Sequence, residues 1–121
     1  PLGLSKGYQV VRDKTIISLA VRMATEIGAD LLKVDYTGDK TSFSEILNST
    51  TCPVLIRGGP KTKTVEDSMK MVLDSLDLGA KGIVFGRNIW QSSDSTMTTQ
   101  IYSDFIHRRI TIEEAIKQLG D

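Results

Sequence analysis

The sequence predicts an α/β fold, a parallel sheet of three strands with flanking helices, on three observations. Short apolar runs of strand length alternate with longer stretches of helical periodicity, the pattern of strand–helix–strand crossovers. The strand candidates recur at a regular interval: Lys33 to Arg57 is 24 positions and Arg57 to Phe85 is 28, one β/α unit each. The junctions "GAD" at 28 and "GAK" at 79 also look alike, a Gly ending a helix and a small residue leading into a strand. Three strands cannot close a barrel. They form either an open sheet or the second half of an eight-stranded one, and in both cases chemistry lies at the carboxyl ends of the strands. Residues 1–121 read as a single domain.

Each element has its own signal. From Asp13 to Ile27, apolar residues recur at Ile16, Ile17, Ala20, Val21, Ala24 and Ile27, a helical stripe, with Asp13 suited to cap its start and Gly28 its end. "DLLKVDY" is a first strand, followed by "TGD" and a short helix around "TSFSEILN". Cys52-Pro53 resets the chain before "VLIR", the second strand. Thr64 and Asp67 stand at capping-box spacing ahead of "VEDSMKMVLDSLDL", which closes on Gly79. "GIVF" is the third strand and "GRN" a turn. Asp94 then opens a helix through "IYSDFIH", and "TIEEAIKQLG" carries a cleaner capping box from Thr111 to Glu114 and ends on Gly120.

Composition excludes several classes. Acidic and basic residues balance at 15 each, so no basic footprint for nucleic acid or an anionic membrane exists. One cysteine, Cys52, makes no internal disulfide, which favours a reducing, cytoplasmic setting. The apolar runs fall well short of the roughly 20 residues that cross a bilayer. No Cys/His cluster suits a transition metal, and no cofactor is expected.

The three strand ends carry the chemistry. In the first strand Leu32, Val34 and Tyr36 suit a helix-covered face, which turns Leu31, Lys33 and Asp35 the other way, into a lumen or crevice. An amine kept dry there stays neutral and nucleophilic in larger measure, able to attack a carbonyl and form a Schiff base. The plainer reading is an edge-strand lysine or a structural Lys33–Asp35 arrangement. At the second end, "RGGPKTKT" pairs Gly58 and Gly59 directly after a strand, where backbone N–H groups can approach an anion, with Lys61 and Lys63 adding charge. Taken singly, Gly-Gly-Pro is a tight turn. The third end, "FGRNIW", adds Gly86 and the planar fork of Arg87. Together the last two ends match the phosphate site that recurs after the final strands of (β/α)8 barrels, and an amine on the preceding strand completes a layout for a phosphorylated carbonyl compound.

"GADLLKVDYTGD", "PVLIRGGPKTKT" and "GAKGIVFGRNIWQ" resemble, in order and spacing, the strand-end motifs of the archaeal-type class I fructose-bisphosphate aldolases. That family also includes 2-amino-3,7-dideoxy-hept-6-ulosonate synthases and the thiolase of autoinducer-2 breakdown. The resemblance runs from about Gly28 to Gln91. It implies the C-terminal part of a (β/α)8 TIM barrel in which these are strands six, seven and eight. It further implies that Lys33 is the Schiff-base lysine and that Gly58, Gly59, Gly86 and Arg87 hold the phosphate of a phosphorylated sugar substrate, fructose 1,6-bisphosphate leading. "ITIEEAIKQL" leans toward the heptulosonate-synthase branch instead, and a non-catalytic half-barrel that binds phosphate or a partner is the reading outside enzymology.

Two departures matter. The family places a small residue where this chain has Arg57, which either adds a phosphate contact or fills the space a substrate needs. Its proton-transfer tyrosine precedes a Pro-x-Gly turn that Pro1-Leu2-Gly3 resembles, which puts that tyrosine before the first residue. The chain is therefore expected to expose its lumen-facing residues unless it pairs with a second copy, as a homo-oligomer, or with the missing N-terminal half. Other residues read as structural: Cys52 as a small buried filler, His107 as a cation at a helix C-terminus, Trp90 as packing against a nearby helix, and Met69, Met71, Val72 and Leu76 as core.

Overall fold

The computed structural model describes residues 12–58 and 64–120. Gly59, Lys61, Lys63 and the Pro1-Leu2-Gly3 turn lie outside the described residues. The elements run α1 (Lys14–Glu26), β1 (Leu32–Asp35), α2 (Lys40–Asn48), β2 (Val54–Arg57), α3 (Val65–Leu78), β3 (Gly82–Val84), α4 (Arg87–Trp90), α5 (Ser95–Ile106) and α6 (Ile112–Leu119). The strands form one parallel sheet in the order β1-β2-β3.

The helices begin where a short polar side chain can take up their orphan backbone donors. Asp13 accepts from the N–H groups of Thr15 and Ile16, Thr64 from that of Asp67 and Asp94 from that of Met97. The Thr111–Glu114 box closes in both directions, at 3.2 and 2.8 Å. The two look-alike junctions are the same structure. Gly28 and Gly79 both take left-handed conformations, at φ 96° and 119°. The following alanines reach back five residues, Ala29 N–H to the Ala24 carbonyl and Ala80 N–H to that of Ser75. This closure needs a left-handed residue, which glycine adopts without a Cβ clash.

The faces of the sheet differ sharply. Leu32, Val54 and Ile56 are buried on the helix side, against a core built from Ile17 and Val21 of α1, Phe43 and Ile46 of α2, Met69 and Val72 of α3, and Ile101, Tyr102 and Phe105 of α5. Inside it the Ser68 and Tyr102 hydroxyls meet at 2.5 Å, and burial raises the Tyr102 pKa above its usual value. Met71 and Leu76 pack at its margin as expected. The opposite face carries Leu31, Lys33 and Asp35, then Leu55 and Arg57, then Gly82 and Val84, with Leu31 54% exposed.

Four expectations need correction. "GRN" is not a free turn: Arg87 begins α4, because the Ile89 and Trp90 N–H groups both close on the Gly86 carbonyl. Trp90, expected to pack against a nearby helix, is 64% exposed, with its indole nitrogen leaning over Gly86. Cys52 is half-buried, its thiol 3.1 Å from the Ala29 carbonyl. Finally, the α1 stripe splits into two. Ile17 and Val21 enter the core, whereas Ile16, Leu19, Met23 and Ile27 form a second apolar row, exposed along its length. Residues at i, i+3, i+7 and i+11 lie on one helix face.

Candidate active site

The carboxyl ends of β1, β2 and β3 lie side by side because the strands are parallel and in register. Leu32 pairs with Val54 and Asp35 with Arg57, and Arg57 in turn with Val84. Lys33, Leu55 and Gly82 thus form one row across the open face. Asp35, Arg57 and Val84 form the next row, nearer the carboxyl edge.

Lys33 turns to the face opposite the helices, as its position in "LKVD" predicts. It is exposed, so the dry setting expected for the amine does not exist within these residues. The reason is direct: no described element covers this face of β1. The expectation that an isolated chain leaves Leu31, Lys33 and Asp35 open holds for the first two. Asp35 is different, at 15% side-chain exposure. Its carboxylate lies 3.5 Å from the Arg57 guanidinium and 3.7 Å from that of Arg12. The Asp35–Arg57 pair was not legible in the sequence, because it depends on how β1 and β2 align, which no local pattern states.

Gly58 and Gly86 sit at neighbouring strand ends. The Gly58 N–H donates to the Val84 carbonyl at 3.3 Å, and a Cβ at Gly58 would fall 2.8 Å from Cδ1 of Phe85. Phe85 itself packs edge-on against Tyr102, ring centroids 5.4 Å apart. Glycine at 58 therefore has a steric cause in addition to any role with an anion. Gly86 starts α4 without a side-chain cap, and Arg87 is half-buried at the first helical position. Four of the five expected site residues, Lys33, Gly58, Gly86 and Arg87, share this one sheet edge; the fifth, Gly59, is outside the described residues.

The residues of "TGD" serve the fold. Gly38 adopts φ 96°, and Asp39 caps α2, accepting from the Ser42 N–H at 2.9 Å and the Ser42 hydroxyl at 2.6 Å. Those bonds hold the Asp39 carboxyl below its ordinary pKa. Tyr36 packs edge-on against Phe43 on the helix side, remote from the open face. Among the described residues no group of three or more His, Cys, Asp or Glu could hold a metal ion, and no helix is long and apolar enough to cross a membrane.

The model of the DeoC/LacD family of aldolases matches residues 4–92, a span that takes in all three strands and both glycine-bearing ends. The chain belongs to this aldolase family. Among its relatives, an uncharacterized aldolase of Saccharolobus solfataricus is 46% identical over 109 residues, covering 90% of this chain and 40% of that protein. The class 1 fructose-bisphosphate aldolase of Thermoproteus tenax is 41% identical, over 84% of this chain and 40% of its own length. The 2-amino-4,5-dihydroxy-6-oxo-7-(phosphonooxy)heptanoate synthase of Streptomyces griseus is 35% identical, over 79% and 35%. The crystal structure of an archaeal fructose 1,6-bisphosphate aldolase superposes with a TM-score of 0.76 at 40% identity, over 85% of this chain and 42% of that one. A further structure of an archaeal fructose-1,6-bisphosphate aldolase, with its catalytic lysine bound to a carbinolamine intermediate, gives 0.66 at 38% identity, over 94% and 41%. The chain thus spans about two-fifths of the length of these relatives, and its three strands and their helices are part of a (β/α)8 barrel.

Proposed function

We propose that this chain is the C-terminal part, strands six to eight, of a Schiff-base aldolase acting on a phosphorylated ketose, with fructose 1,6-bisphosphate the leading substrate. The observation that carries the reading is the placement of Lys33 on the helix-free face, on the same sheet edge as Gly58 and Gly86–Arg87. In this reading the neutral Lys33 amine adds to the ketone carbon, water leaves, and the resulting iminium accepts the electrons of the breaking C–C bond. The glycine-bearing strand ends at Gly58, Gly59 and Gly86, with the Arg87 guanidinium, hold the phosphate, Gly58 by leaving room for it, since its own N–H is engaged by the Val84 carbonyl. The general acid and base that aldol cleavage needs come from β/α units that complete the barrel over the open face. The 41% identity to the Thermoproteus tenax enzyme supports the bisphosphate over the synthase chemistry, whose representative stands at 35%.

Borohydride reduction of the complete polypeptide with a phosphorylated ketone tests the reading, with peptide mass spectrometry as readout. The expected result is one stable adduct, on Lys33, absent from Lys33→Ala. Adduct formation at another lysine, or none, rejects the assignment. The rival, motivated by Arg57 where the family carries a small residue, is a non-catalytic half-barrel that binds phosphate or a partner. It predicts that Lys33→Ala loses neither ligand binding nor any activity.

A further inference from the structure

We propose that Arg57 is a specificity-determining residue of this site, recognising an acidic group on the carbon next to the ketone carbonyl; the inference rests on the Schiff-base reading of Lys33. The two rows on the open face set the geometry. Lys33 lies in the deeper row and Arg57 in the row nearer the carboxyl edge, one strand across and two residues along. From strand spacing and rise, their Cα atoms are about 8 Å apart. Both side chains leave the sheet on the same side. A carbonyl compound that approaches from the carboxyl edge passes the Asp35–Arg57 row before it meets the amine. Once the carbonyl carbon is on Lys33, the substituents of that carbon occupy the layer of Arg57.

The charge of that layer favours an anion. Among the described residues, two guanidinium groups, those of Arg12 and Arg57, share one carboxylate, Asp35, at 3.7 and 3.5 Å from their Nε atoms. Both exceed the 2.7–3.2 Å of an N–H···O hydrogen bond. Asp35 therefore orients Arg57 by charge, without the short hydrogen bond that would commit it. Its 28% side-chain exposure leaves part of the group open to the face where substrate arrives. A planar guanidinium in this setting matches the paired oxygens of a carboxylate or a phosphate ester.

The test compares trapping at Lys33 in wild type, Arg57→Gln and Arg57→Lys, in the complete polypeptide. Three ketones serve as probes: dihydroxyacetone phosphate, hydroxypyruvate and dihydroxyacetone. Arg57→Gln is expected to raise the half-saturating concentration of one or both acidic ketones about 10- to 100-fold, with Arg57→Lys in between. The neutral ketone is expected to be unaffected, and it reports that the variant is folded. A loss confined to one acidic probe identifies phosphate or carboxylate as the recognised group. Equal changes for all three ketones, or no change, overturn the proposal. Failure of all three to label Lys33 in wild type rejects the Schiff-base reading instead.

Discussion

Replacing Gly58 with alanine separates two reasons for the glycine. The added Cβ would lie 2.8, 3.1 and 3.3 Å from Cδ1, Cγ and Cε1 of Phe85, so the ring has to retreat by roughly 0.6–1 Å to reach ordinary contact distance. Phe85 cannot swing away cheaply, because its ring packs edge-on against the buried Tyr102. Overpacking of this kind costs about 1–3 kcal/mol. The lower chain entropy of unfolded alanine offsets about 0.4–1 kcal/mol of that, leaving a net loss of about 0.5–2 kcal/mol. At a urea slope of about 1–3 kcal/mol/M, the midpoint falls by about 0.2–2 M. The decisive measurement is a double-mutant cycle with Phe85→Leu, whose smaller side chain makes room for the methyl group. Gly58→Ala is expected to cost roughly 1 kcal/mol less in that background. Additive effects would refute the steric account and leave backbone access by an anion as the reason for the glycine.

Two further outcomes follow from the core and the caps. Ser68 and Tyr102 share a buried hydroxyl pair, so Ser68→Ala or Tyr102→Phe leaves an orphan and is expected to cost about 1–3 kcal/mol. The double variant should lie closer to wild type than the singles sum to, by urea unfolding; strict additivity would contradict the pairing. Asp39 has a depressed carboxyl pKa because the Ser42 hydroxyl and N–H both donate to it. The unfolded chain then binds the proton more readily than the folded one. The contribution is therefore present above the ordinary value of 3.8 and lost as pH falls through the lower folded value. Asp39→Asn, still a competent cap, should flatten that part of the acid unfolding curve; an unchanged acid limb would show that this group does not matter there.

How much was legible depended on whether the cause was local. Asp13, Thr64, Asp94 and Thr111 could be named from sequence because a cap needs only a short polar side chain and the next three residues. Gly28 and Gly79 were legible for the same reason. The alternation in "LLKVDY" placed Leu32 inside and Lys33 on the other face without any tertiary information. What stayed hidden required a second strand. The Asp35–Arg57 pair depends on β1–β2 register, and the role of Gly58 depends on where Phe85 lands. The splitting of the α1 stripe shows the same limit from the other side. Ile16 and Ile27 have the right spacing for a core helix, but Ile27 is 87% exposed, because periodicity reports that a row is apolar and not what covers it. The α4 turn was missed because four residues carry too little pattern.

The two exposed apolar surfaces support one conclusion by an argument independent of length. Purely parallel sheets are found with both faces covered, yet here one face presents Leu31, Val84 and Lys33 to water. The outer row of α1, from Ile16 to Ile27, is a helix flank without a neighbour among the described residues. A further β/α unit set beside β1 and α1 would lay its helix along Ile16, Leu19, Met23 and Ile27 and pair its strand with the free edge of β1, and closure of the sheet into a barrel would cover the face that carries Leu31, Lys33 and Val84. On the proposed reading this has a chemical consequence. The same closure that buries those side chains removes water from Lys33, and a desolvated amine is neutral, and so able to attack a carbonyl, far more often at neutral pH than an exposed one. On that reading, folding of the complete barrel and activation of Lys33 are one event: the proposed nucleophile and anion-binding edge lie on these residues, and the dryness comes with closure.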